Sequence, residues 1–193
     1  SAALPKSEPV SRQKYEQGLA QLKRNDLTAA IASFDQALQA DPNLADALFA
    51  RGLARQHGED RDSLKAAVAD FRAAYNLGPD PRIPSCMLYC LARLHDHNEA
   101  ITWFSEIDQE TITPIDLNNY SCCLVQRHKI GDLRVADFHF RKALQMAPGF
   151  FTIVNNCQIA DFRLALKEKR ATMPPKPTNP TLELVEPRFD ELN

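Results

Sequence analysis

An all-α chain built by repetition is predicted, on three observations. Ala30, Phe34, Ala37 and Pro42 recur as Ala67, Phe71, Ala74 and Pro79, each displaced by 37 residues (30 to 67). The set returns as Ala100, Phe104 and Ile107, and again as Ala136, Phe140, Ala143 and Pro148. Gly18 and Gly52, 34 residues apart (18 to 52), sit mid-way in the stretches preceding the first two sets. Spacings of four and three place the alanines and phenylalanine on one helical face, where small residues let a second helix approach. Proline ends each such helix, because it lacks an amide proton and restrains the residue before it.

The elements follow in order. Ser1-Ala2-Ala3-Leu4-Pro5-Lys6-Ser7-Glu8-Pro9 reads as a linker within residues 1–10, as expected for a fragment of something larger. The helix pairs occupy 11–170. Asp26 and Asp132 are expected to cap second helices, and Thr113-Pro114-Ile115-Asp116 places a cap, an N1 proline and an acid in one first turn. The polar turn His57-Gly58-Glu59-Asp60-Arg61-Asp62 absorbs the three residues by which the 37-residue spacing exceeds 34. Gly78 suits the position beyond the second pair, and Pro84 sets the next helix to begin near Ile83. Leu88 and Leu124 replace the small residue of the earlier pairs, and Ile112 replaces the terminal proline of the third, so packing there should be looser or shifted. Phe151 to Leu166 form a ninth helix that covers the last apolar face. Lys167, Lys169 and Arg170 at its end suit the helix dipole. From 171 to 193, Pro174, Pro175, Pro177, Pro180 and Pro187 impose an extended backbone. Leu182, Leu184, Val185, Phe189 and Leu192 make this tail too apolar for a solvated linker, so it should dock on its own array or a neighbour's.

A chain of 193 residues, 44% apolar and 25% charged, is ordinary for a globular domain. A net charge of -2 offers no general attraction to phosphate backbones or anionic membrane. No stretch approaches the roughly 20 apolar residues of a membrane span. Five cysteines at no disulfide-framework spacing point to a reducing, cytoplasmic setting.

The joint pattern of small residue, alanine, aromatic and terminal proline resembles the tetratricopeptide repeat, on Gly18, Ala30, Phe34 and Pro42 and on Gly52, Ala67, Phe71 and Pro79. The resemblance implies a right-handed superhelical solenoid of four helix pairs plus a C-terminal capping helix. It further implies a non-catalytic scaffold or adaptor that binds an extended or helical protein segment on its inner surface, within a larger signalling or assembly protein. Transferring the family's binding face gives Tyr15, Leu19, Leu22 and Lys23 from the first pair and Phe49, Leu53 and Gln56 from the second. It adds Tyr89 and Arg93 from the third, Val125, His128 and Lys129 from the fourth, and Asn155, Ile159 and Phe162 from the cap. Some of these residues have an alternative role in packing against the adjacent helix. Tyr15, Leu19 and Ala50 stand where the family's chaperone-binding members carry a lysine and asparagine clamp. An apolar or proline-containing segment, including the chain's own tail, therefore fits better than a chaperone carboxylate. A second reading is a chaperone-like or permanent subunit of a complex.

Chemistry finds little support. Cys86, Cys90, Cys122 and Cys123 with His95 and His97 would be soft metal ligands or a redox group, the third class considered. Yet Cys86 and Cys122 differ by 36, and Cys123 and Cys157 by 34, so they hold equivalent places in successive helices, where a small apolar side chain packs well. Helix axes roughly 8–10 Å apart keep such positions beyond disulfide reach. No zinc-type cysteine pair, nucleophile-base arrangement, calcium loop or glycine-rich phosphate loop is present. No catalytic residue, metal ligand, cofactor or nucleic-acid partner is expected.

Overall fold

A computed structural model describes residues 9–58 and 60–189. The linker at 1–8, Glu59 and Leu192 lie outside the described residues. Nine helices and no strands occur among them. Four pairs and a final helix result: α1 (Val10–Lys23) with α2 (Leu27–Ala40), α3 (Ala45–Gln56) with α4 (Arg61–Leu77), α5 (Ile83–Arg93) with α6 (His97–Phe104), α7 (Pro114–Arg127) with α8 (Asp132–Met146), then α9 (Phe151–Glu168). Two compact units divide the chain, residues 1–83 with 189–193 and residues 84–188. No helix is long and apolar enough to cross a membrane, among the described residues.

In the first unit, α1 packs on α2, α2 on α3 and α3 on α4. Two rings anchor this stack: Phe34 and Phe71 are each 0% exposed. A methyl built on Gly18 would overlap the Phe34 ring, and one on Gly52 would come within 2.6 Å of Phe71 Cε1. The recurring glycine is thus a steric demand, since Phe34 and Phe71 each lie against the first helix of their pair where a side chain would stand. Asp26 caps α2 as expected, accepting from the Ala29 amide at 3.2 Å.

The second unit keeps the helices and alters their contacts. Leu88 replaces the glycine and is itself 0% exposed. Phe104 is only half-buried and stacks on Tyr120, with centroids 3.8 Å apart and planes 10° from parallel. This is the predicted shift of packing. The fourth pair accommodates both Leu124 and a fully buried Phe140. Ile112, in place of a proline, is buried. Thr113 and Asp116 form the expected reciprocal box: the Asp116 amide donates to Thr113 Oγ1 at 3.2 Å and the Thr113 amide to Asp116 Oδ2 at 2.9 Å.

Gly78 stands just beyond α4 as expected, in extended backbone at φ -175°. Two local expectations need correction. Arg61 and Asp62 belong to α4, whose cap is Asp60, accepting from the Ser63 amide at 2.8 Å. Asp132 is the first residue of α8, not its cap; Gly131 at φ 90° holds the cap position. The Asp132 carboxylate instead binds the Arg127 guanidinium at 2.8 and 2.7 Å and the Lys129 amide at 3.1 Å, tying both ends of the turn.

Hydrogen bonding from Arg127 holds the Asp132 carboxyl below the usual carboxylate range. A lowered folded pKa stabilises the protein above the unfolded value, and this contribution disappears as pH falls through the folded value. Asp132→Asn should therefore destabilise by about 1–2 kcal/mol at pH 7. In urea unfolding the gap from wild type should close progressively below about pH 4, the ordinary aspartate range.

Candidate functional site

Helix α7 carries Asn118 and Asn119 at its fifth and sixth positions, and α9 carries Asn155 and Asn156 at the same two, 37 residues on (119 to 156). These are first-helix positions turned toward one another across the α7 and α9 packing. Asn118, Asn119 and Asn156 are all at most 1% exposed. Buried carboxamides need partners for both donor and acceptor, and here the partner is the tail.

Residues 182–188 lie extended against α7 and α9 within the second unit. The Asn119 carboxamide donates to the Val185 carbonyl at 2.6 Å and accepts from the Val185 amide at 2.8 Å. Asn156 does the same for Glu183, donating to its carbonyl at 2.7 Å and accepting from its amide at 3.1 Å. Asn118 adds a 3.1 Å bond to the Glu183 carbonyl and accepts from Asn156 at 2.8 Å, linking the two clamps. Each clamp is a closed pair of hydrogen bonds to the amide and the carbonyl of one residue. In an extended chain, residues two apart turn their amides and carbonyls the same way, which is why 183 and 185 are engaged together.

Side chains complete the seat. Leu182 and Leu184 pack on a cluster of Cys122, Leu124, Val125, Ala136, Phe140, Cys157 and Ala160. Asn179 turns the chain into this course, accepting from the Thr181 amide at 3.0 Å and donating to the Glu183 carboxylate at 2.7 Å. Burial, reinforced by the nearby Glu186 carboxylate, raises the Tyr89 hydroxyl above its ordinary pKa. Thus Glu186 faces Tyr89 within the same unit.

Among the residues expected from the sequence, Tyr15, Leu19, Phe49, Leu53, Gln56, Tyr89, Val125, Asn155 and Ile159 are buried, with Tyr15 6.1 Å from the Phe34 ring. Leu22 and Phe162 are half-buried, and Lys23 is exposed. Phe49 borders a cleft of about 480 Å³ in the first unit, with Phe71 at 5.8 Å, Phe189 at 6.3 Å and the Arg82 guanidinium over its ring at 4.4 Å. Tyr89 pairs with Arg93, whose guanidinium lies 5.7 Å from the ring centroid. Val125, His128 and Lys129 line a cavity of about 160 Å³ with Arg163 and Lys167. Asn118, Asn119 and Asn156 were not legible as site residues from family positions. The signal was present, however: an Asn-Asn pair repeated at 37 residues where apolar core is expected.

All five cysteines are buried and none forms a disulfide. Burial pushes the Cys123 thiol up to about 12 and raises those of Cys86's helical neighbour Cys90, of Cys122 and of Cys157. No three histidine, cysteine, aspartate or glutamate side chains are grouped to hold a metal, among the described residues. In the folded state fewer than one thiol of the five should react with Ellman's reagent at pH 8 within minutes, and all five should react in guanidinium, because the thiolate is the nucleophile.

Residues 18–57 match the family model of the TPR repeat. No curated protein matches the chain. Solved structures share the fold. MamA from residue 41 onward, of Desulfovibrio magneticus RS-1, superposes with a TM-score of 0.72 at 11% identity, over 88% of this chain and all of that one. YrrB, described as a TPR protein with an unusual peptide-binding site, gives 0.67 at 20% identity, over 82% and 78%. Pseudomonas aeruginosa pilF gives 0.63 at 21% identity, over 83% and 69%. Fold and matches together define a helix-pair repeat protein. Within it, residues 18–57 match the tetratricopeptide repeat.

Proposed function

We propose that this chain is a non-catalytic protein-interaction scaffold, an adaptor in which the α7 and α9 surface holds an extended segment of a partner. The observation that carries this reading is the mode by which residues 183 and 185 are held: both clamps address backbone atoms, so the surface suits a peptide as such. Two residues of the expected face support it: Tyr89 lies near Glu186, and Val125 lies under the tail. We divide the chain into a linker at 1–10, a binding array at 11–170 and a docking tail at 171–193. Reduced thiols and a net charge of -2 support a cytoplasmic adaptor that binds neither nucleic acid nor membrane.

A permanent subunit of a larger assembly is the second reading, favoured by Phe138 at 64% and Phe151 at 73% exposure on α8 and α9. Affinity capture from lysate with quantitative mass spectrometry separates the two. An adaptor should be monomeric alone and lose its captured proteins in an Asn119→Ala, Asn156→Ala variant of wild-type helicity. Capture unchanged by that variant would move the site elsewhere. A chain that is insoluble without a partner would favour the permanent subunit.

A further inference from the structure

Resting on the scaffold reading above, we propose that the α7 and α9 surface selects an extended protein segment of the form apolar-x-apolar-x-x-proline, and that the chain's own Leu182 to Pro187 occupies it in the resting state. A partner carrying that pattern then enters only by displacing the tail.

The pattern is read from what each tail residue does. Leu182 and Leu184 supply apolar contact, and Pro187 is buried. Glu183 has its side chain exposed and turned back to Asn179, so position 183 demands a backbone but no side chain. Positions 183 and 185 each donate an amide hydrogen to a carboxamide oxygen, which excludes proline from both. The surface is thus specific in spacing and chain form, and tolerant in sequence.

Reversibility follows from burial. Leu182, Leu184, Val185 and Glu186 are only partly buried, and Glu183 and Arg188 are exposed. A segment committed to the core would bury its apolar residues fully, as Phe34 and Phe71 are buried, whereas of this segment only Pro187 is. Beneath the tail lie an apolar floor and the carboxamides of Asn118, Asn119 and Asn156, and water can satisfy the carboxamides once the tail leaves. Removing the tail therefore does not strand three polar groups, as it would in a sealed interior. Covalent attachment places the tail at a local concentration on the order of millimolar, so it outcompetes weak segments and yields to tighter ones.

The test uses the full chain and a fluorescent synthetic peptide of residues 178–188. The Leu182→Asp, Leu184→Asp variant, with its tail released, should bind the peptide at least about tenfold more tightly than wild type does. A peptide N-methylated at the Val185 amide should bind about tenfold more weakly, whereas a Glu183→Ala peptide should bind within about twofold of the parent. Adding Asn119→Ala and Asn156→Ala should abolish binding. On the unaltered chain, millimolar peptide should accelerate proteolysis of the tail, and the N-methylated peptide should not, which keeps the test valid if the aspartate variant loses helicity. Equal binding of parent and N-methylated peptides, or a proteolysis rate indifferent to peptide, would overturn the proposal. A wild-type dimer whose tails exchange between copies, seen by light scattering, would overturn the self-occupied state. Partners captured through another surface would leave the scaffold reading intact while these measurements failed.

Discussion

Phe71→Ala should lower the stability of the first unit by about 3–5 kcal/mol, read as a shift of its urea midpoint, because the ring is fully buried and leaves a cavity against two helices. Total stabilities of roughly 5–15 kcal/mol make this enough to unfold a marginal protein. The location of the effect is sharper than its size. Phe71 rests on Gly52 and lies 5.8 Å from the Phe49 ring, so its loss uncouples α3 from α4. Gly52→Ala alone should cost about 1–3 kcal/mol by overpacking against the same ring. Made in the Phe71→Ala background, it should become neutral or stabilising, since the obstacle is gone and alanine gains about 1 kcal/mol of helix propensity over glycine. A double-mutant cycle that gave simple additivity would refute the steric account of the repeat's glycine. Phe104→Ala, at the corresponding place in the third pair, should cost only about 1–2 kcal/mol, because Phe104 is only partly buried.

Asp70→Ala should cost about 3 kcal/mol, the next largest effect. Its carboxylate, 5% exposed, receives the Arg51 guanidinium at 3.0 and 2.6 Å and the Arg55 guanidinium at 2.7 Å. Arg51 reaches on to Asp35 of α2 at 2.6 Å, so one cluster joins α2, α3 and α4. Burial alone would weaken the hold of Arg51 on its proton; the hydrogen bonds to Asp70 and Asp35 outweigh it and raise its pKa. Without Asp70, two half-buried cations lose their main partner, and the cost is the unpaired charge more than the lost attraction. Asp35→Ala should cost about 1 kcal/mol or less, since that carboxylate is 42% exposed and screened by water. Guanidinium-free thermal melts at low and high salt distinguish the sites: the Asp35 effect should fade with salt, the Asp70 effect should persist. Equal losses at both positions would show that the cluster acts only at the surface.

Much of the architecture was legible because it is local. Proline, glycine and a repeated alanine-phenylalanine face act within one or two turns of their own helix, so Ile83, Asp26 and the Thr113–Asp116 box appeared where their chemistry required. Asp132 was misplaced for the opposite reason. Its carboxylate chose Arg127 across the turn over the amides of its own helix, a choice between two nearby partners that spacing does not decide.

The sequence by itself determined the helix-pair repeat and the recurrence of a small residue at Gly18 and Gly52; the structure supplied the rings that demand it. Periodicity reports which face of a helix is buried, and covalent spacing reports which helix comes next. Tertiary structure alone decided that Asp70 gathers two arginines, that Phe104 leaves its expected bed for Tyr120, and that Asn119 and Asn156 clamp residues 185 and 183. In each case the partners come from separate elements, 66 residues apart for Asn119 and Val185, and hydrogen bonds with no sequence period leave no trace until the chain has folded around them.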